Sequence, residues 1–306
     1  MHRIPTPGRA AGSLAVALAA AGCAAPLSTL DPAGPSARLI GDMWWALLIG
    51  AALITALVAG LLAWAWFRGR PGAPKLWIVG GGIVFPLVTL AVLTGFALHL
   101  GERLLPHPAP GVVTVSAQGH RFWWGFVQPG PDGTPLRSAT VLHIPAGRPV
   151  DVRISSADVI HSFWVPRLAG KLDAIPGHVN VLRLRADRPG IYAGHCAEFC
   201  GTGHSRNAFT VVAHPPADYL RAVAAATRTV PENAAFRRRC AQCHATDARR
   251  AAPGPNLAGI ATRPWPIAHA LAGLDRDGLR RWIGRHAPAV RPDEIEPLLP
   301  YVGVTR

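Results

Sequence analysis

Cysteine and histidine occur together at two places in this sequence, with spacings typical of metal or haem ligands. The chain has 306 residues and five cysteines, four of which form two close pairs. Each pair lies beside histidines, a spacing that favours metal binding or haem attachment over a disulfide framework. The paired cysteines are Cys196, Cys200, Cys240 and Cys243.

The first set has two cysteines four residues apart, Cys196 and Cys200, followed after four more residues by His204. His161, in an earlier strand-like segment, completes a set of two sulfurs and two nitrogens. Thiolate and imidazole together suit copper or zinc. A zinc site more often has Cys-x-x-Cys, so this spacing with a remote histidine favours copper. A zinc site or an empty site is the alternative.

The second set is Cys240-Ala241-Gln242-Cys243-His244, the spacing of c-type haem attachment. It predicts that both thiols lie along one edge at the start of a helix, where they would bond the haem. His244 would then reach the iron. The later segment 254–257, Gly-Pro-Asn-Leu, resembles the loop that supports this histidine in cytochromes c.

The second axial ligand of such a haem is not evident. Cytochromes c usually supply a methionine, but the chain has only Met1 and Met43. Segment 291–297 resembles the usual ligand segment with a glutamate in place of the methionine. The candidates are Glu296, His269 and His286. Five-coordinate, bis-histidine and carboxylate-bound iron all remain open.

Short strands are predicted to position the first set. Residues 110–215 contain alternating segments rich in valine, isoleucine and aromatic residues, separated by glycine, proline and aspartate. This pattern predicts an all-β sandwich or barrel. The clearest segments are 112–115, 122–127, 150–154, 179–184 and 209–212.

Helices are predicted to position the second set. An alanine-rich linker, 216–229, precedes a compositionally distinct region, 230–306. The linker is predicted to be helical from residue 218, and 277–285 is the clearest helix of the final region. The sequence therefore predicts a small all-α domain at the C-terminus.

Two apolar segments, 43–67 and 76–100, are each long enough to span a bilayer. The loop between them, 68–75, has three positive charges and no negative one, which predicts a cytoplasmic position. Segment 23–42 and everything after residue 100 would then lie in the periplasm. The chain is predicted to cross the bacterial inner membrane twice.

Residues 1–22 have basic residues followed by a short apolar stretch, the pattern of a signal peptide. Cys23 follows Ala-Ala-Gly, which resembles a bacterial lipoprotein signal. Lipidated and unmodified Cys23 are both open.

The net charge is +14, from 31 Lys and Arg against 17 Asp and Glu. The arginines are scattered and form no basic segment interleaved with aromatic residues. This distribution argues against nucleic-acid binding.

Residues 155–204 resemble the copper domain of cytochrome c oxidase subunit II, notably in segments 158–163, 171–177 and the Cys-x-Glu-x-Cys-x-x-x-His loop. With its hairpin and haem motif, the chain resembles a subunit II with a fused C-terminal cytochrome c domain, the caa3 type. The implied fold is a two-helix transmembrane hairpin, a cupredoxin-like β-sandwich over 110–215 and a cytochrome c domain over 230–306.

The resemblance implies a dinuclear copper centre, CuA. In that family the loop cysteines bridge both coppers and each histidine binds one, which assigns these roles to Cys196, Cys200, His161 and His204. The backbone carbonyl of Glu198 is implied as a weak copper ligand. Its carboxylate would face a magnesium ion shared with subunit I.

The sequence departs from the family at two positions. Asn207 stands where the family has a methionine that is a weak axial copper ligand. Segment 119–124 resembles the family's aromatic run for electron entry, with Phe122 in place of its first tryptophan. Phe122, Trp123 and Trp124 are implied as electron-transfer residues, although aromatic residues in a strand often serve packing alone.

The implied function is that of an electron-entry subunit of a haem–copper terminal oxidase. Electrons from a periplasmic donor would pass through haem c and copper to subunit I, which reduces oxygen in a proton-translocating complex, so no catalytic residue is expected here. Subunits I and III are the implied partners. The positive charge favours an acidic or membrane-bound cytochrome c donor.

Two other classes remain open. One is a nitric-oxide reductase or quinol oxidase relative, although the four retained copper ligands argue against quinol oxidation. The other is a haem-based sensor or assembly protein, because an iron without a methionine ligand could bind a gas.

Overall fold

The computed structural model describes residues 25–68, 74–260, 263–264, 271 and 274–302. It divides into two compact units, residues 38–107 and the remainder of the chain. The predicted signal peptide, Cys23, His269 and most of the predicted cytoplasmic loop lie outside the described residues.

The unit of residues 38–107 is helical. Helix α1 spans Pro35–Arg68, and a π-helical segment, Leu76–Val84, continues into α2, Phe85–Leu104. Both helical segments are long and apolar enough to cross a membrane. Pro86 lies in the first turn of α2, where its missing N–H removes a hydrogen bond next to the π-helical segment.

Ten strands form a β-sandwich in the other unit. One five-stranded sheet has the order β3-β2-β1-β5-β8 and the other has the order β4-β10-β9-β6-β7. The strands are β1 Val113–His120, β2 Trp123–Pro129, β3 Pro135–Ala139, β4 Val141–Pro145, β5 Val150–Ser156, β6 His161–Trp164, β7 Lys171–Ala174, β8 Asn180–Leu184, β9 Gly190–Cys196 and β10 Ala208–His214.

The prediction of an all-β sandwich is confirmed, but the sequence pattern did not indicate every strand. Strand β4 is buried at all five positions, so it has no alternation of polar and apolar residues to detect. Strands β6 and β7 have four residues each, too few to show a period.

An aromatic cluster fills the space between the two sheets. Trp124 and Phe126 come from one sheet and Phe163 and Phe209 from the other, and all four are fully buried. The Phe163 and Phe209 rings stack with their centroids 4.6 Å apart. The Trp124 ring also contacts His161 edge-on at 6.1 Å. This packing holds the end of the sandwich that carries His161 in place.

The C-terminal region is helical, as predicted. Its hydrophobic core includes Phe236, Ile283, Leu299 and Tyr301. The elements are α3 Tyr219–Ala226, α4 Ala234–Arg239, α5 Arg276–His286, α6 Pro292–Ile295 and a 3₁₀ segment Glu296–Val302.

The helical region is joined to the sandwich at strand β3 and the turn before it. The Arg137 backbone N–H donates to the Ala248 carbonyl at 2.8 Å. The Arg249 guanidinium pairs with Asp132 at 2.7 Å, and Leu136 packs against Ala248 in a small apolar cluster. These contacts attach the C-terminal region to the edge strand β3 of the sandwich.

Candidate metal centre and adjoining cavity

The strand pairing brings the first cysteine and the remote histidine together. His161 is the first residue of β6 and Cys196 is the last residue of β9. These strands are antiparallel neighbours, with Phe163 opposite Cys196. The start of one strand therefore lies beside the end of the other, and the loop between β9 and β10 adds Cys200 and His204.

The four side chains converge at distances that suit metal binding. Each sulfur has its own histidine, since Cys196 Sγ lies 3.7 Å from His161 Nδ1 and Cys200 Sγ lies 3.7 Å from His204 Nδ1. The two sulfurs are 4.0 Å apart and both thiols are free. A disulfide would need about 2.05 Å. Metal–thiolate bonds of about 2.3 Å from each sulfur can span the gap.

Glu198 contributes its backbone to this cluster. The Cys196 thiol donates to the Glu198 carbonyl at 3.2 Å, so this oxygen faces the sulfurs. The Glu198 side chain is exposed. The Glu198 carbonyl therefore faces the sulfurs, whereas its side chain is exposed at the surface.

Asp158 orients His161, a role that the sequence interpretation missed. Its Oδ1 lies 2.7 Å from His161 Nε2, which leaves Nδ1 facing Cys196. Burial opposes ionisation of Asp158, but hydrogen bonds from His161 and from the Arg121 and Val159 backbone N–H groups lower its pKa. A carboxylate behind a ligand histidine fixes its tautomer and ring orientation. In the sequence, the signal for this role was the position of Asp158, three residues before His161.

Burial raises the pKa of the Cys196 thiol to about 11, and the neighbouring Cys200 adds to this. The thiol is therefore protonated at neutral pH in the absence of a cation. A metal ion would have to displace that proton, because the thiolate is the ligand form.

Asn207, which stands where the sequence resemblance predicts a methionine, is fully buried. Its Nδ2 donates to the His120 carbonyl at 3.1 Å and lies 3.7 Å from Cys200 Sγ. Because a carbonyl can only accept, this bond assigns the amide orientation and directs N–H toward the sulfur. Its Oδ1 is buried with no hydrogen-bond partner among the described residues. Asn207 is thus placed as a hydrogen-bond donor to the cluster.

The three aromatic residues singled out in the sequence occupy different surroundings. The Phe122 ring packs against the loop between β9 and β10, which carries Cys200 and His204. The contact is so close that a Cβ at Gly203 would collide with the ring. Trp123 stacks on His120 with ring centroids 3.9 Å apart. Trp124 lies in the sandwich core. Only Phe122 and Trp123 of these three also face the cavity described next.

A cavity of about 460 Å³ lies between the C-terminal helices and the sandwich. The helical region contributes Cys240, His244 and His286 to its wall. The sandwich contributes Phe122 and Trp123, among others. Phe122 therefore separates the cavity from the loop that carries Cys200 and His204.

His244 is held by the segment that resembled a supporting loop. Its Nδ1 lies 2.9 Å from the Pro255 carbonyl, so Nδ1–H donates there and Nε2 is left free for a ligand. Gly254 packs against it, since a Cβ there would approach the His244 ring at 3.1 Å and the Cys243 carbonyl at 2.9 Å. These contacts fix the imidazole in the cavity wall.

The prediction that the Cys-x-x-Cys-His motif opens a helix was wrong. Helix α4 ends at Arg239, and Cys240 is its C-cap. The backbone N–H groups of Cys243 and His244 both donate to the Cys240 carbonyl, which makes a tight turn. The motif is therefore a turn after a short helix, and the turn presents Cys240 and His244 to the cavity.

Two candidates for the second axial ligand can be placed. The Glu296 carboxylate is held by Arg276 and by Arg280, the latter at 2.7 Å, and does not line the cavity. His286, the last residue of α5, does line it. Desolvation and the adjacent His244 lower the pKa of His286.

Three arginines bring positive charge to the cavity wall, two from the sandwich and one from the helical region. They are Arg121, Arg206 and Arg263. Desolvation lowers the pKa of Arg263 to about 10, which still leaves it protonated at neutral pH. Guanidinium groups at an apolar cavity suit a flat apolar ligand with carboxylate substituents.

The structure thus combines two apolar helices with a β-sandwich that brings two cysteine thiols and two imidazoles together at one end, an arrangement suited to a metal site. Residues 132–214 match the family model described as cytochrome C oxidase subunit II, periplasmic domain.

Relatives with the same description match more of the chain. A cytochrome c oxidase subunit 2 of Alkalihalophilus pseudofirmus is 29% identical over 299 residues, covering 90% of this chain and 86% of the relative. Residues 1–229 are only about three quarters of the 306, so this match extends into the C-terminal helices. The subunit 2 of Thermostichus vulcanus is 41% identical over 111 residues, 36% of this chain and 32% of that protein.

Among solved structures, the periplasmic domain of subunit II of cytochrome oxidase from Bradyrhizobium japonicum is 24% identical, with a TM-score of 0.35. The match covers 38% of this chain and 93% of that domain. By the family model and these relatives, this chain is similar to cytochrome c oxidase subunit II, a subunit of an oxidoreductase complex.

Proposed function

We propose that this chain is the electron-entry subunit of a haem–copper oxidase, and that it carries a dinuclear copper centre and a covalently bound haem c. The observation that carries the proposal is the adjacency of the metal cluster and the cavity, with Phe122 in contact with both. When bound, copper and haem supply one-electron redox chemistry. The chain itself holds the two groups close together and shields the space between them.

The donor set favours copper. His161 and His204 supply one imidazole nitrogen each, while Cys196 and Cys200 supply two sulfurs that can be shared. The Glu198 carbonyl is directed at the same sulfurs. Soft thiolates with imidazoles on a β-sandwich, and an amide N–H near one sulfur, suit a copper–thiolate centre whose potential depends on its surroundings.

The cavity favours haem. Cys240 and Cys243 would form the covalent links, and His244 would bind the iron with its orientation fixed by Pro255. Apolar side chains line most of the wall, and arginines are present for the propionates. The helical region would thus be a cytochrome c domain fused to the copper domain, as in the caa3 type.

The two apolar helices anchor the chain in the inner membrane with both soluble domains in the periplasm. Subunit I, which reduces oxygen, is the principal partner, with subunit III as a second. The exposed Glu198 carboxylate would face a magnesium ion at the subunit I interface. An acidic or membrane-bound cytochrome c would donate electrons, since the chain carries net charge +14.

Metal and haem analysis of the full-length chain, purified in detergent, tests this function. We expect two coppers and one covalently attached haem per chain. Stopped-flow reduction by a one-electron donor should then show reduction of the haem before that of copper. A chain that takes up one zinc and no copper, or that carries no covalent haem, would contradict the proposal.

A haem-based sensor is distinguished by the same sample. It would bind carbon monoxide tightly at the haem and would show no electron transfer to copper. A quinol oxidase relative would need no copper ligands, and all four are close together here.

A further inference from the structure

Two histidine rings line the cavity at a distance from each other that suits one metal ion between them. The ring centroids of His244 and His286 are 6.1 Å apart, with the ring planes inclined at 46°. Two imidazole nitrogens bonded at about 2.0 Å to opposite sides of one ion place the ring centroids about 6 Å apart. The spacing is much longer than the contact of stacked rings, such as His120 and Trp123 at 3.9 Å.

From this geometry we propose that His286 is the second axial ligand of the haem iron, opposite His244. The proposal rests on the proposed haem site and specifies its chemistry. The iron would be bis-histidine ligated, without the methionine that cytochromes c usually supply.

Helix α5 holds His286 in position. Its ring stacks on Trp282, four residues earlier on the same helix, with centroids 4.4 Å apart and planes 12° apart. Asp275 caps the start of the helix by accepting from the Gly278 N–H at 2.6 Å. Ile283 anchors the helix in the hydrophobic core. These contacts restrict the orientation of the imidazole, although the residue itself is exposed at the end of the helix.

Glu296, which stands in place of the methionine in the resembling segment, makes structural ion pairs and does not line the cavity. Glu296 bonds Arg276 and Arg280 of α5, which draws its carboxylate toward that helix and away from the cavity. Glu294, two residues earlier, is buried and pairs with Arg239 at 2.9 Å and Arg238 at 3.2 Å of helix α4. Desolvation of Glu294 is outweighed by hydrogen bonds from Arg291, Arg239 and Arg238, which lower its pKa to about 2. This segment ties the helices together.

Bis-histidine ligation has two consequences for function. A haem iron held by both His244 and His286 would offer no open site for oxygen or carbon monoxide, unlike the iron of a gas sensor. Histidine in place of methionine also lowers the haem reduction potential, because methionine is the ligand that raises it. A lower potential favours transfer from the haem to the copper centre.

The test compares the full-length chain, produced without partner subunits so that its own haem is the only one, with its His286→Ala variant. We expect a low-spin haem that does not bind carbon monoxide in the native chain. His286→Ala should become high-spin and bind carbon monoxide, and added imidazole should restore the low-spin spectrum. His286→Met should stay low-spin with a raised reduction potential.

Glu296→Gln is the matched control, because it removes the rival carboxylate on the same domain. Its spectrum should equal that of the native chain. A low-spin, carbon-monoxide-insensitive haem in His286→Ala overturns the ligand assignment while leaving covalent haem in place. A change to high spin in Glu296→Gln alone also overturns it. If no covalent haem is found in the native chain, both this inference and the proposed function fail.

If His286→Ala does not accumulate as folded protein, His286→Met decides the question. Loss of low-spin character or an unchanged potential in His286→Met would contradict direct ligation. A raised potential with retained low spin supports it, since a residue that only packs against the haem would not exchange one ligand signature for another.

Discussion

The cysteine–histidine cluster (His161, Cys196, Cys200 and His204) and the cavity lie side by side, but different kinds of secondary structure position their residues. In the cluster, two ligands come from paired strand ends, and backbone hydrogen bonds such as Cys196 N–H to the Asn207 carbonyl fix the register. In the cavity, the motif is a turn after the six-residue helix α4, and the facing histidine ends another helix. Strand pairing determines the first arrangement, whereas helix packing determines the second.

The two positions where the resemblance predicts a methionine also differ in their surroundings. At the cluster, Asn207 occupies the same position in the chain and turns an N–H toward Cys200. At the cavity, the corresponding position, Glu296, has become part of an ion-pair network, and His286 from another helix faces the cavity. Asn207 lies directly before β10, and its carbonyl accepts from the Cys196 N–H, so its backbone is fixed and only the side chain can be exchanged there. A helical domain can present a ligand from a different helix.

The largest expected effects come from two substitutions, each of which should remove one bound group and leave the other in place. Cys196→Ser should abolish copper binding, because a hydroxyl cannot replace the shared thiolate, and should leave covalent haem unchanged. Cys240→Ser should do the reverse, weakening covalent attachment and retaining copper. Metal analysis and a stain for covalent haem measure both. Two coppers per chain in Cys196→Ser would show that the sites are not assigned correctly.

Asp158→Asn should weaken the cluster without touching the cavity. The variant keeps the shape but loses the charge behind His161, and loss of such a partner costs about 10- to 100-fold in metal affinity. Copper titration against a competing chelator measures it. Asp151→Asn is the control, since Asp151 pairs with Arg183 at 2.7 Å elsewhere on the sandwich. Equal losses in both variants would mean that domain stability, and not His161 orientation, is being measured.

Asn207→Met tests whether Asn207 acts on the cluster as a hydrogen-bond donor, at the position where a methionine would act as a metal ligand. We expect the copper stoichiometry to stay the same and the reduction potential to fall. The N–H near Cys200 is lost, which lowers the potential, and the soft thioether that is gained suits reduced copper and offsets part of the fall. The shift should be on the order of 59 mV, a tenfold change in the one-electron equilibrium. Redox titration of the copper absorbance measures it.

Asn207→Leu has nearly the same shape but provides neither N–H nor sulfur. It should lower the potential by the hydrogen-bond contribution alone. A potential unchanged in both variants would mean that Asn207 only packs against the cluster.

Phe122→Leu should give the smallest effect, a several-fold slower electron transfer from haem to copper. Its ring fills the space between the cavity and the loop at Gly203, and a smaller side chain leaves a gap across which tunnelling is slower. Both spectra should be unchanged. Flash reduction of the haem, followed at the copper band, measures the rate. Phe199→Leu is the control, because Phe199 is exposed on the same loop and does not line the cavity.

The sequence alone was sufficient for the elements with a strong periodic or spacing signal. It predicted the apolar helices, the β-sandwich and the helical C-terminal region, because long apolar runs, alternating strands and amphipathic helices carry their own patterns. It also selected His161, Cys196, Cys200 and His204 as one set. Those residue types are rare, and their spacing reflects a local loop.

Other features depended on tertiary structure. The sequence could not show that Asp158 orients His161, that Phe122 contacts both the loop and the cavity, or that Cys240 caps a helix. It left Glu296, His269 and His286 as candidates, because they are distant in the chain from His244 and no local pattern could choose among them. The folded helices place His286 6.1 Å from His244 and direct Glu296 to arginines. Distances between residues far apart in sequence are set by packing, so the sequence by itself could not distinguish the placement of His286 from that of Glu296.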